Sequence, residues 1–193
     1  MKDSLKFFYT LTIAFVLIVP VGTILHELGH YLVANHYYNS VELHKASVTH
    51  FHYKFANNEE LASFLVTLAV PVSTLSISVI GIILISRKSF EKISTISFSI
   101  KSIFKILLAY FISREVLIAA NLIFTHGVSN SDEYKVPLFL GLDSQYFNIV
   151  LFITTGAICL YILTKTVERG SRVLFLISEA IGCSIGYCSW VLT

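Results

Sequence analysis

Five apolar stretches, each close to the length of a bilayer crossing, dominate this chain of 193 residues. They run from Phe7 to Ala34, Leu61 to Ser86, Ile103 to Thr125, Phe147 to Thr164 and Val173 to Leu192. A helix needs about 20 mostly apolar residues, at about 1.5 Å each, to cross a hydrocarbon core ~30 Å thick. Hydrocarbon offers the backbone no hydrogen-bond partners, so such stretches have to satisfy their own N–H and C=O groups as helices. Composition agrees, because only 13% of the residues are charged, against roughly 25% in a soluble domain. The expectation is an all-α polytopic membrane protein of about five transmembrane helices, with the lipid bilayer as its solvent. No internal repeat or Pro/Gly/Ser-rich linker divides the sequence, so residues 1–193 are read as a single membrane-embedded domain.

The placement of positive charge orients such a bundle, since cytoplasmic loops near span ends are enriched in Lys and Arg. With the N-terminus inside, Lys2, Lys6, Arg87, Lys88, Lys92, Lys101, Lys105, Lys165, Arg169 and Arg172 fall on the cytoplasmic side. The outer loops hold only Lys45, Lys54 and Lys135, with Arg114 inside a span. This predicts a multi-pass protein with a cytoplasmic N-terminus and an outer C-terminus, suited to a bacterial inner membrane. Lys2 and Lys6 ahead of an apolar run also fit a signal peptide, but the run passes through Pro20 and Gly22 without a small-x-small cleavage site, so it is read as a retained span. The net charge of +2 and the scattered basic residues leave no nucleic-acid footprint. Cys159, Cys183 and Cys188 lie within apolar runs without CxxC spacing and read as buried packing residues. The segment Ser89 to Ser102 mixes Ile and Phe with Ser and Lys, has no clear period, and is assigned to the inner membrane surface.

Near the outer end of the first span stands His26-Glu27-Leu28-Gly29-His30, an HExxH sequence. Residues four apart share a helix face, so both imidazoles can hold one Zn²⁺, with Glu27 placed as general base toward a water the ion activates. The same facing rules out a haem pair, which needs ligands on opposite sides of a ring. A hydrogen-bonded pair of interface histidines is the plainer reading, but ionisable groups inside spans are costly unless paired and are functional candidates by default.

A polytopic chain with HELGH in its first span resembles the site-2 protease family of intramembrane zinc metalloproteases. That resemblance implies a helical core carrying HExxH on one helix, an Asp ligand from a later helix in an NxxPxxxxDG pattern, and a GPxxN stretch between them. Ala69-Val70-Pro71-Val72-Ser73-Thr74 keeps the proline of GPxxN without its Gly and Asn, and Asn121 followed by Ser129-Asn130-Ser131-Asp132-Glu133 is similar to the Asn-to-Asp element with altered spacing and no DG. A catalytic zinc takes three protein ligands and keeps one position open, and the third here has to come from the outer side. Asp132 occupies the matching place and follows the third span closely, with Glu133 and Asp143 as alternatives. His36 is a further alternative, because HExxHxxGxxH would put a third His there, although Val33 stands where that motif has Gly.

Between the first two spans, Ser47 to Phe55 alternates with the two-residue period of a strand, as a short hairpin or an edge strand in the first outer loop. In the family, such strands are thought to hold an unwound substrate segment; a surface hairpin with aromatics at the headgroups fits equally, and His44, His50 and His52 read as a solvated face. Within the spans, Arg114 calls for a carboxylate, with Glu115 or Glu179 as the partner. The leading functional expectation is a membrane-embedded zinc metallopeptidase cutting a membrane-associated protein or peptide. The alternative is a non-proteolytic metal-binding or transport-accessory membrane protein.

Overall fold

The computed structural model describes residues 2–45, 47–55, 58–87, 90–125 and 132–190. Helix α1 spans Lys2–Tyr37 and leads directly into an antiparallel hairpin, β1 (Tyr38–Leu43) and β2 (Val48–Tyr53). Helices α2 (Glu59–Ser86), α3 (Ile100–Tyr110), α4 (Ser113–Thr125), α5 (Asp132–Phe139), α6 (Ser144–Thr166) and α7 (Arg172–Trp190) follow. Among the described residues, five helical stretches are long and apolar enough to cross a membrane, with α3 and α4 together making the third. The chain is an all-α polytopic membrane protein with one small two-stranded sheet.

Three details go beyond the sequence reading. The third span is not one continuous helix, because a turn at Phe111–Ile112 separates α3 from α4, and the Glu115 amide bonds back only three residues, to the Ile112 carbonyl at 3.0 Å. Strand β1, unread in the sequence, pairs with β2 from Tyr38 opposite Tyr53 to Leu43 opposite Val48. In the 89–102 segment, Ser89 lies outside the described residues; Ile93 forms a parallel bridge to Val167, its amide bonding to the Thr166 carbonyl at 2.8 Å, before Ser99 caps α3.

The chain packs as two compact units. One is built from residues 1–22, 77–111 and 158–193, the other from 23–76 and 112–157. The first unit's segments hold ten basic and four acidic residues, net +6; the second's hold four basic and eight acidic, net −4.

In the first unit, Phe15, Tyr110 and Phe175 meet edge to face with centroids 5.3 to 6.4 Å apart, alongside fully buried Phe7 and Leu11. Helices in hydrocarbon gain little from apolar burial alone and pack where small residues let backbones approach. Gly182 and Gly186 of α7 do this against α1: a Cβ at Gly182 would stand 2.6 Å from the Thr12 carbonyl, and one at Gly186 2.7 Å from the Val16 carbonyl. Pro20 has no N–H for that Val16 carbonyl, four residues earlier, so α7 closes on a part of α1 where the helical ladder is already interrupted. Gly182→Val should therefore overpack this contact by about 1–3 kcal/mol and lower the melting temperature of the detergent-solubilised protein. Gly156→Ala, at a helical glycine with nothing within 4 Å, should be neutral or slightly stabilising in the same thermal assay.

Candidate metal centre

The second unit contains the whole HExxH sequence. Helix α1 runs unbroken through it to Tyr37, so His26 and His30 lie one turn apart on one face, their rings perpendicular with centroids 5.2 Å apart. Gly29, between them, sets the approach of α2: a Cβ there would meet Ser73 Oγ at 3.1 Å and the Ala69 carbonyl at 3.4 Å. Those contacts lie in the proline-containing stretch of α2 that the sequence singles out. A buried apolar cluster of Ala34, Tyr38, Ala62 and Val66 fixes the same helix pair.

This packing brings His30 Nδ1 to 2.9 Å from the Val66 carbonyl. A carbonyl only accepts, so Nδ1 carries the proton and a neutral ring directs its Nε2 lone pair the other way. In that direction lies Asp132, the first residue of α5, with Oδ2 at 3.2 Å from His30 Nε2 and 3.4 Å from His26 Nε2. Lone pairs at such distances repel unless a positive charge sits among them. A proton on an imidazole is one solution and a metal ion is the other.

The spacing fits an ion. Ligand atoms ~2.0–2.1 Å from a tetrahedral centre stand about 3.3–3.4 Å from one another, and the two histidine–aspartate separations are 3.2 and 3.4 Å. One atom from each of His26, His30 and Asp132 lies within 4.8 Å of the others, the only such cluster among the described residues. Burial raises the Asp132 carboxyl pKa, but where protons on the imidazoles fill the gap, their hydrogen bonds and charges outweigh it and hold the group well below the usual carboxylate range. Asp132 is then an anion whichever cation sits between it and the histidines. The Val66 bond supplies the orienting contact that metal-bound histidines characteristically make with their second nitrogen. His26 Nδ1 is buried without a partner among the described residues, so His30 is the better fixed of the two. Glu27 is also buried, its Oε1 3.9 Å from His26 Nε2; it flanks the cluster without belonging to it.

The alternative third ligands have other roles. Glu133 is buried and points to Arg114, whose Nη1 lies 3.6 Å from Glu133 Oε1 and 3.3 Å from Glu115 Oε1. Arg114 thus pairs with Glu115, one of the two partners expected from the sequence, and with Glu133, which was not among them. Glu179, the other expected partner, belongs to the first unit and hydrogen-bonds Tyr110. Asp143 caps α6, its Oδ1 accepting from the amides of Gln145 and Tyr146 at 2.8 and 3.0 Å. His36 stays on the continuous helix and packs against Tyr37 and Phe55. Residues 129–131, of the Asn-to-Asp element, lie outside the described residues.

The hairpin lies in the same unit. His50 stacks on Tyr38, centroids 4.2 Å apart, and burial lowers its pKa. His52 has a left-handed φ of 58°, and the ladder skips its pairing with Asn39.

Removal of any one of His26, His30 or Asp132 by alanine should weaken binding of a divalent metal by more than the ~10–100-fold typical of orienting residues. In the same titration His36→Ala and Asp143→Ala should bind like the wild type. Asp143→Ala should instead cost about 1 kcal/mol of stability through the lost cap. Arg114→Ala should cost about 3 kcal/mol, the low end for breaking a buried ion pair, because its side chain is about one-third exposed. Comparison of the chain with protein-family models, curated proteins and solved structures gave no match.

Proposed function

We propose that the protein is a membrane-embedded zinc metallopeptidase, similar in its site to the site-2 protease family, that hydrolyses a peptide bond in a membrane-associated substrate. The observation that carries this reading is the convergence of His26 Nε2, His30 Nε2 and Asp132 Oδ2, with the Glu27 carboxylate beside them. Two imidazoles and one carboxylate are a ligand set used by catalytic zinc, which leaves a coordination position open. Zinc bound there supplies a Lewis acid that acidifies water and polarises a carbonyl.

The chain's own residues supply the rest. Asp132 balances the charge of the ion in poorly solvated surroundings. The Val66 carbonyl keeps the His30 ring in its ligating tautomer. Glu27 takes a proton from the attacking water and returns it to the leaving amide nitrogen, so that one carboxylate serves as base and then acid. The Arg114, Glu115 and Glu133 cluster holds the start of α5, and with it Asp132, by ion pairing from α4.

A helical substrate shields its peptide bonds in its own ladder and has to unwind to be cut. The β1–β2 hairpin, joined directly to the HExxH helix, offers strand pairing to an extended segment. The Lys and Arg bias of the loops, ten residues against three with Arg114 inside a span, supports a cytoplasmic N-terminus under the positive-inside rule and a site nearer the outer face of a bacterial inner membrane.

In proteoliposomes containing an unfolded, membrane-anchored reporter, Glu27→Gln should retain stoichiometric zinc and lose cleavage by ~10²–10⁴-fold, the usual contribution of a general base. Full zinc occupancy without cleavage in both the wild type and the variant would favour a metal-binding protein that performs no hydrolysis.

A further inference from the structure

Helix α5 ends in an apolar tip that none of the foregoing explains. Leu138, Phe139, Leu140 and Leu142 are 51%, 42%, 53% and 48% exposed, and residues 136–142 include no charge. The segment lies between the candidate spans Ile100–Phe124 and Ser144–Thr166. On a surface facing water this would be a contiguous apolar patch of the kind that marks an interaction site.

The backbone of the tip identifies the medium it suits. The Leu140 amide bonds to the Val136 carbonyl, Gly141 to Leu138 and Leu142 to Pro137, at 3.2, 3.0 and 2.9 Å. Gly141 has a φ of +68°, the left-handed residue that closes a Schellman turn. Pro137 has no amide hydrogen to satisfy, and the amides of Leu140, Gly141 and Leu142, at the exposed end of the tip, are all paired. Beyond the turn the Gln145 and Tyr146 amides are taken by Asp143. Paired amides are part of what irregular backbone needs near hydrocarbon.

The neighbouring surfaces continue the patch. Tyr146, Val150 and Ile153 of α6 recur at helical spacing and are 74%, 64% and 63% exposed, the face that a span of this length turns to lipid. Phe139 stacks on Phe64 of α2, centroids 4.1 Å apart and planes within 12°.

We propose that the α5 tip inserts into the bilayer as a shallow re-entrant arm, with Leu138, Phe139, Leu140 and Leu142 among the upper acyl chains at a depth of about 5–10 Å below the headgroup boundary. The occupant of the patch is lipid, not a soluble partner. Asp132 begins the helix whose other end is anchored in this way, so the arm ties the third ligand to the membrane.

Tryptophan placed at the tip tests this without requiring metal or substrate. Leu140→Trp and Leu142→Trp, each in a Trp190→Phe background, are reconstituted in phosphatidylcholine–phosphatidylglycerol vesicles whose acyl chains carry bromine near the headgroup. Insertion predicts blue-shifted emission, loss of most of it to the brominated lipid, and protection from aqueous iodide. Red-shifted emission quenched by iodide and untouched by bromine would overturn the proposal by placing the tip in water. Emission insensitive to both quenchers would overturn it too, by showing a covering protein surface. If one variant fails to fold, the other decides. Because the readout is independent of zinc and cleavage, its failure would leave the metallopeptidase reading standing, and the converse also holds.

Discussion

Polar groups sunk among apolar helices have to satisfy one another, and that requirement organises the second unit. Unpaired ionisable groups in such surroundings cost several kcal/mol. Five of them, His26, His30, Glu115, Asp132 and Glu133, are buried or nearly so, with Arg114 at their edge and buried Glu27 flanking His26. The structure sorts them into two adjoining sets. One is the His26, His30 and Asp132 cluster, whose converging lone pairs call for a cation. The other is Arg114 between two carboxylates. Adjacent residues serve the two sets, because Asp132 and Glu133 leave the start of α5 toward different partners.

Packing supports this arrangement through contacts that involve little chemistry of their own. Gly29 allows α2 to lie against the HExxH turn, and the cluster around Ala34, Tyr38, Ala62 and Val66 fixes the end of α1 to the start of α2. The hairpin begins at Tyr38, inside that cluster, so the strand pair and the face that carries His26 and His30 share one foundation. A one-residue shift of α1 along α2 would move His30 away from its carbonyl and Asp132 together.

Much of this is legible in the sequence where the information is local. Helix periodicity alone places His26 and His30 on one face, and span length alone accounts for the five crossing stretches. The alternation from Val48 to Tyr53 marks a strand. Relations across the chain are not encoded locally. Tyr38–Leu43 becomes a strand only because β2 lies opposite, and nothing in YNSVEL alternates cleanly. The turn at Phe111–Ile112 falls in an apolar run with neither Pro nor Gly to announce it. The ion pair between Arg114 and Glu133 joins residues of two different helices, and Asp143 has the same residue type as Asp132 yet serves as a helix cap. Order along the chain is what favours Asp132 over Glu133 and Asp143 in the sequence, whereas the geometry distinguishes them by what each carboxylate touches.

The group that orients His30 is a main-chain oxygen, and this shapes how the site can change. A side-chain partner could be deleted by a single codon change, and a substitution scan would reveal it. The Val66 carbonyl survives every replacement of its own side chain, so position 66 would register as ordinary apolar packing however much the imidazole depends on it. A change in the path of α2, or a shift of α1 along it, is what removes the acceptor from reach. The tautomer of this histidine is thus protected against most point mutations and exposed to those that bend a helix, a vulnerability located in backbone geometry instead of in any residue's identity.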